Sequence, residues 1–78
     1  MVTLEIAAQV DARGLSCPMP IVRTATTIRP LPSGAIVEVL ATDPGSQKDF
    51  LAWCRATGHD LVEHSVDGPV FRFVIRRK

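Results

Sequence analysis

An α+β fold, a two-layer α/β sandwich with a four-stranded mixed sheet and two helices on one face, is predicted for this chain by three observations. Two segments carry a single apolar stripe at helical spacing, and four others show the alternation or β-branched content of strands. The segments follow one another as β-α-β-α-β-β. A chain of 78 residues is near the lower limit for a self-sufficient core, so residues 1–78 are expected to form one domain.

Leu4, Ile6, Ala8 and Val10 alternate with Glu5, Ala7 and Gln9, the period of a strand with one buried face. Asp11 to Ser16 is polar and contains Gly14, which reads as a surface loop. A first helix is expected from about Pro18 to Ile28. Ile21, Val22, Ala25 and Ile28 make its apolar stripe, and Arg23, Thr24, Thr26 and Thr27 take the other faces. Threonine is a poor helix former, so packing must hold this element. Pro30-Leu31-Pro32-Ser33-Gly34 stops it.

Ala35 to Ala41 is apolar and β-branched apart from Glu38, as expected of an interior strand. Asp43 before Pro44 reads as an N-cap with proline at N1, opening a second helix from about 44 to 57. Its stripe is Phe50, Leu51 and Cys54 with Trp53 at the edge, and Gly58 supplies the left-handed stop. Leu61 to Val66 and Val70 to Arg76 are strands joined by an Asp67-Gly68 hairpin turn, with Pro69 marking the start of the last strand. Phe71, Phe73 and Ile75 share one face of that strand, and Val70, Arg72, Val74 and Arg76 the other. Right-handed crossovers place both helices on one side of the sheet. The other side is left open to water or to a partner, with Val62, Val70 and Val74 keeping part of it apolar.

A formal net charge of +1 gives no global field to draw in nucleic acid. The basic cluster Arg72, Arg76, Arg77 and Lys78 has no interleaved exposed aromatics to stack bases. Two cysteines without CxxC or zinc spacing argue against a disulfide scaffold and for a reducing compartment. Met1 to Glu5 lacks the basic start and apolar run of a signal peptide, so the cytoplasm is the expected location.

The residues that carry chemistry are at the first strand-helix junction. Cys17 is followed by Pro18-Met19-Pro20, and proline suits the first turn of a helix because the amide it lacks would be unpaired there. Cys17 thus falls at the N-cap or just outside it, where the helix end favours thiolate over thiol. At ~0.3–1 kcal/mol the effect is below one pKa unit. A moderately activated sulfur, presented from a stiff turn, is expected. Arg13, four residues earlier, either lends it positive charge or fixes the loop by pairing with Asp11. Cys54 falls on the apolar stripe of the second helix and reads as a core residue. His59 follows the helix stop and is expected to meet the last carbonyls of that helix, and His64 is expected to be exposed. Neither histidine has metal-pair spacing.

Asp11-x-Arg13-Gly14-Leu15-x-Cys17-Pro18-x-Pro20 resembles the signature of the TusA family of sulfur carrier proteins, also called SirA-like. Asp43-Pro44, Asp49 with Trp53-Cys54, Thr57-Gly58-His59-Asp60-Leu61 and the closing Phe71 to Arg77 run are similar to later blocks of the family, so the likeness spans essentially the whole chain. It implies a sulfurtransferase in which Cys17 accepts a sulfane sulfur as a persulfide, with Arg13, Gly14, Pro18 and Pro20 as its support. The donor implied is a protein, a cysteine desulfurase or a rhodanese, and the acceptor is a protein in transfer-RNA thiolation, molybdenum cofactor assembly or sulfur oxidation. No metal, organic cofactor, membrane or direct nucleic-acid contact is implied. Met19 stands where family members in transfer-RNA thiolation carry an acidic residue, which points to a different partner surface. Two rival readings are a non-catalytic interaction module using the open sheet face and its arginines, and a redox protein pairing Cys17 with Cys54.

Overall fold

A computed structural model describes residues 5–78; Leu4, assigned to the first strand by its alternation, lies outside them. The elements are β1 (Ile6–Ala12), α1 (Met19–Ile28), β2 (Ile36–Ala41), α2 (Ser46–Thr57), β3 (Asp60–Asp67) and β4 (Val70–Arg76). The sheet order is β1-β2-β4-β3. β1 and β2 are parallel, and β4 is antiparallel to both β2 and β3. Hence β1, β2 and β3 all run in one direction, and the last strand is inserted between the second and third. The expected mixed sheet, the six elements and the two helices on one face are all present.

The core is where sheet and helices meet. Val10, Ala12, Val37, Val39, Ala41, Phe73 and Ile75 project from the strands and pack with Ile28 of α1 and Phe50 and Cys54 of α2. Phe50 stacks on Phe73 at 4.6 Å between ring centroids and takes an edge-to-face contact from Trp53 at 6.2 Å. Gly58 ends α2 in the left-handed region at φ 85°, and its N–H donates to the Cys54 carbonyl at 2.9 Å, as the stop signal predicted. The Asp67-Gly68 turn closes β3 onto β4, with Asp67 facing Val70.

Local expectations are corrected in three places: α1, α2 and the outer face of the sheet. In α1 the buried stripe is Pro20, Thr24 and Ile28, at i, i+4 and i+8, while Val22 is 46% exposed. Pro20 packs inward and rotates the buried face, and Thr24 tolerates full burial because its hydroxyl donates to the Pro20 carbonyl at 2.8 Å. In α2 the helix begins at Ser46 behind Gly45, and Asp43 is not its side-chain cap. The Asp43 backbone carbonyl accepts instead, from Ser46 N at 3.0 Å and Ser46 Oγ at 2.7 Å. Leu51, placed on the buried stripe by its spacing, is exposed, because Ser46, Phe50 and Cys54 define the inward line.

The third correction concerns the outer face of the sheet. Val74 is almost fully buried there, set in register between Glu38 and Glu63. Gln9 Nε2 donates to Glu38 at 2.6 Å, Arg72 Nε donates to the other Glu38 oxygen, and Arg72 Nη1 donates to Glu63 at 3.1 Å. These polar contacts cross all four strands. The Arg72 guanidinium beside it holds the Glu38 carboxyl below the usual carboxylate range, with Gln9 assisting. Arg72 is therefore engaged within the sheet and is not a free basic group. Val62, 36% exposed, lies at the irregularity between Leu61 and Glu63.

Phe50→Ala removes a fully buried ring stacked on Phe73. It is expected to lower stability by about 3–5 kcal/mol, read as an earlier midpoint in urea unfolding. An unchanged midpoint would refute this account of the core.

Candidate functional site at the β1–α1 junction

The loop carrying Cys17 is held at both ends. Leu15 N donates to the Ala12 carbonyl at 3.2 Å, and Met19 N donates to the Ser16 carbonyl at 2.9 Å. Gly14 turns with φ 80°, which an L side chain rarely adopts, and its N–H donates to Thr42 Oγ1 at 2.9 Å. That bond ties the first loop to the loop between β2 and α2. Cys17 is exposed and free, and the Cys17–Pro18 peptide bond is cis. Pro18 is the N-cap residue of α1, and Pro20 is buried in its first turn.

Of the two readings open for Arg13, the structure takes the pairing. Arg13 Nε and Nη2 donate to the two carboxylate oxygens of Asp11 at 2.8 and 3.0 Å, and Arg13 N donates to Asp11 Oδ1 at 3.2 Å. The fork pulls the Asp11 carboxyl down to about 2. Arg13 thus shapes the loop and does not reach out to the sulfur.

Nearby carboxylates act against the expected activation of the thiol. The Cys17 thiol is pushed up from the ordinary cysteine value: hydrogen bonding to Asp49 is the largest cause, followed by desolvation and the negative charges of Asp49 and Asp43. The helix end is also poorer in donors than a generic one. Pro18 and Pro20 have no N–H, and that of Met19 is used by Ser16, leaving Ile21 as the spare amide of the first turn. Asp49 stands in the first turn of α2, and Asp43 in the loop before it. Both carboxylates converge on Gly45, where an added Cβ would be 3.3 Å from Asp43 Oδ2 and 3.8 Å from Asp49 Oδ2.

The other candidate groups lie apart from this site. Cys54 is buried in the core, and burial pushes its thiol up to about 11. His59 does not meet the α2 carbonyls: its Nδ1 accepts from Lys78 N at 3.1 Å, and its ring packs 5.1 Å from Trp53. His64 is exposed, as expected, and stacks on Phe73 at 5.2 Å.

A profile described as Sulfurtransferase TusA matches residues 8–77. The chain belongs to the TusA family. It is 49% identical over 67 residues to the putative sulfur carrier protein YrkI of Bacillus subtilis, covering 86% of this chain and 89% of that one. To the sulfur carrier protein TusA of Allochromatium vinosum it is 45% identical over 69 residues, covering 88% and 91%. The crystal structure of the SirA-like protein from Desulfitobacterium hafniense superposes with a TM-score of 0.78 at 25% identity, over 88% of this chain and 95% of that one.

In this TusA-family chain the proximity of Asp49 to Cys17 was the feature that sequence reasoning missed. The signal available was topological: parallel β1 and β2 bring the starts of both helices to one end of the sheet, so acidic residues in the first turn of α2 must stand near Cys17.

The rate of Cys17 alkylation by iodoacetamide in the Cys54→Ala background is expected to rise with pH through a midpoint above the ordinary thiol value of about 8.5. Asp49→Asn is expected to lower that midpoint. An unshifted midpoint would remove Asp49 as the cause. A proton titration of Asp11 followed by NMR is expected to centre near pH 2 and to move up to the ordinary carboxylate range in Arg13→Gln. Because the folded value is depressed, the loop stabilisation it gives is present above the unfolded value and is lost as pH falls toward 2.

Proposed function

We propose that this protein is a cytoplasmic sulfur carrier with sulfurtransferase activity, in which Cys17 holds a sulfane sulfur as a persulfide between a donor protein and an acceptor protein. The observation that carries this reading is a free, exposed cysteine on a loop pinned to its neighbour, in a chain matched to the Sulfurtransferase TusA profile over residues 8–77. Relatives carrying the name sulfur carrier support it.

In the loading step the Cys17 thiolate attacks the outer sulfur of a donor persulfide. A new S–S bond forms at Cys17 as the donor S–S bond breaks, and the donor departs as a thiolate that takes up the proton Cys17 gave up. The sulfane sulfur keeps its oxidation level throughout, so no external oxidant is needed. Unloading repeats the exchange with the acceptor thiol attacking.

The carboxylates beside Cys17 give this cycle a resting state. A thiol kept protonated is a poor nucleophile and resists oxidation. Docking that neutralises or displaces Asp49 releases the thiolate where it is wanted. Met19 and Val22, in the first turn of α1 after Cys17 and both more than 40% exposed, give this end of the molecule an apolar component for docking. The donor class is a cysteine desulfurase or rhodanese, and the acceptor class serves transfer-RNA thiolation, molybdenum cofactor assembly or sulfur oxidation.

Intact mass after incubation with a cysteine desulfurase and cysteine, or with a rhodanese and thiosulfate, tests the reading. A gain of one sulfur on the Cys17 peptide is expected, abolished in Cys17→Ser and retained in Cys54→Ala, with both variants folded by circular dichroism. Loading of Cys17→Ser would refute it.

A further inference from the structure

A cavity lies at the end of the helix layer away from Cys17. α1 begins beside Cys17 and runs ten residues, or about 15 Å, so the cleft at its C-terminal end is remote from the sulfur. The cleft has a volume of about 200 Å³, with Ala25 and Ile28 of α1 as its apolar floor, Trp53 and His59 as an aromatic wall, and Arg29 and Arg77 at the mouth. No Asp or Glu side chain of the described residues lines it.

The wall is fixed. The His59 ring is inclined 48° to Trp53 at 5.1 Å and accepts a hydrogen bond from the Lys78 amide. Desolvation and the positive charges of Arg77 and Lys78 lower the His59 pKa, so the ring is an uncharged stacking surface at neutral pH. Arg77 has a structural task, because it donates to the Ile28 and Arg29 carbonyls and to a main-chain oxygen of Lys78 at 3.1 to 3.2 Å. Three of its five N–H donors are used there, which leaves two. The Arg29 guanidinium has no hydrogen bond or ion pair among the described residues, so its whole donor fork is available. Arg77 already satisfies the negative end of α1, and Arg29 is in excess of that need.

An aromatic wall with a guanidinium fork at its rim selects a flat ring bearing a carboxylate, stacked inside with its charge at the mouth. A volume below the ~300–1,000 Å³ of drug-sized pockets limits the ligand to a single ring. We propose that the cleft between Trp53, His59 and Arg29 binds a monocyclic aromatic carboxylate, either a free small acid or the aromatic C-terminal residue of another chain.

Trp53 is the sole tryptophan, so the fluorescence of the full chain reports this cleft directly. Titration with benzoate is expected to give a saturable change with a dissociation constant on the order of 1 mM. Arg29→Gln, at an exposed position, is expected to weaken binding about tenfold, and Cys17→Ser to leave it unaltered. Benzamide and cyclohexanecarboxylate, lacking charge and aromaticity in turn, are expected to bind more weakly. N-acetylphenylalanine distinguishes the sources: saturation by benzoate alone assigns a free acid, and saturation by both or by N-acetylphenylalanine alone assigns a chain end. The absence of saturation by either acid, benzamide binding equal to benzoate, or unchanged affinity in Arg29→Gln would overturn the proposal. None of these readouts depends on sulfur loading, so the two readings stand or fall separately.

Discussion

The common direction of β1, β2 and β3 is the constraint from which the site follows. Two strand-helix junctions are thereby brought to one end of the sheet, with β4 wedged between β2 and β3 to complete the pairing. The first junction presents the thiol and the second presents the carboxylates. The bond from Gly14 N to Thr42 Oγ1 fixes one loop against the other. The aromatic core of Phe50 and Phe73 then holds α2, and with it Asp49, at a defined place over the sheet.

The electrostatics of Cys17 are a contest in which magnitudes decide. A helix end contributes ~0.3–1 kcal/mol at an exposed position, and this one is short of N–H donors because prolines occupy two early positions. The Asp49 carboxylate acts on the thiol in the opposite sense, and the charge of Asp43 reinforces it. The two carboxylates thus oppose the dipole at the sulfur. The local chemistry is thus that of a thiol held toward its protonated form by its acidic neighbours.

Much of this was legible in the chain. Alternation in Val10 and Gln9, the β-branched run around Val39, the Asp67-Gly68 turn and the Gly58 stop are local signals, and local backbone preference decides them. The Thr24 and Val22 exchange on α1 was not legible, because it depends on Pro20 packing inward and on a hydroxyl satisfying itself one turn back. Arg72 was also out of reach, since two carboxylates from different strands meet it only through the register of β4. The position of Cys17 was evident from its prolines, but the sign of its pKa shift came from residues about thirty positions away in sequence.

The band of Gln9, Glu38, Arg72 and Glu63 across the outer face of the sheet bears on colloidal behaviour. Stacking a second sheet on that face would strip water from an interlocked set of charges, at several kcal/mol per ion. Self-association through the broad flank of the molecule is thereby disfavoured even in a crowded cell. Contacts with other molecules are thereby left to the ends and edges of the sheet, so that the broad flank stays wet even at high concentration.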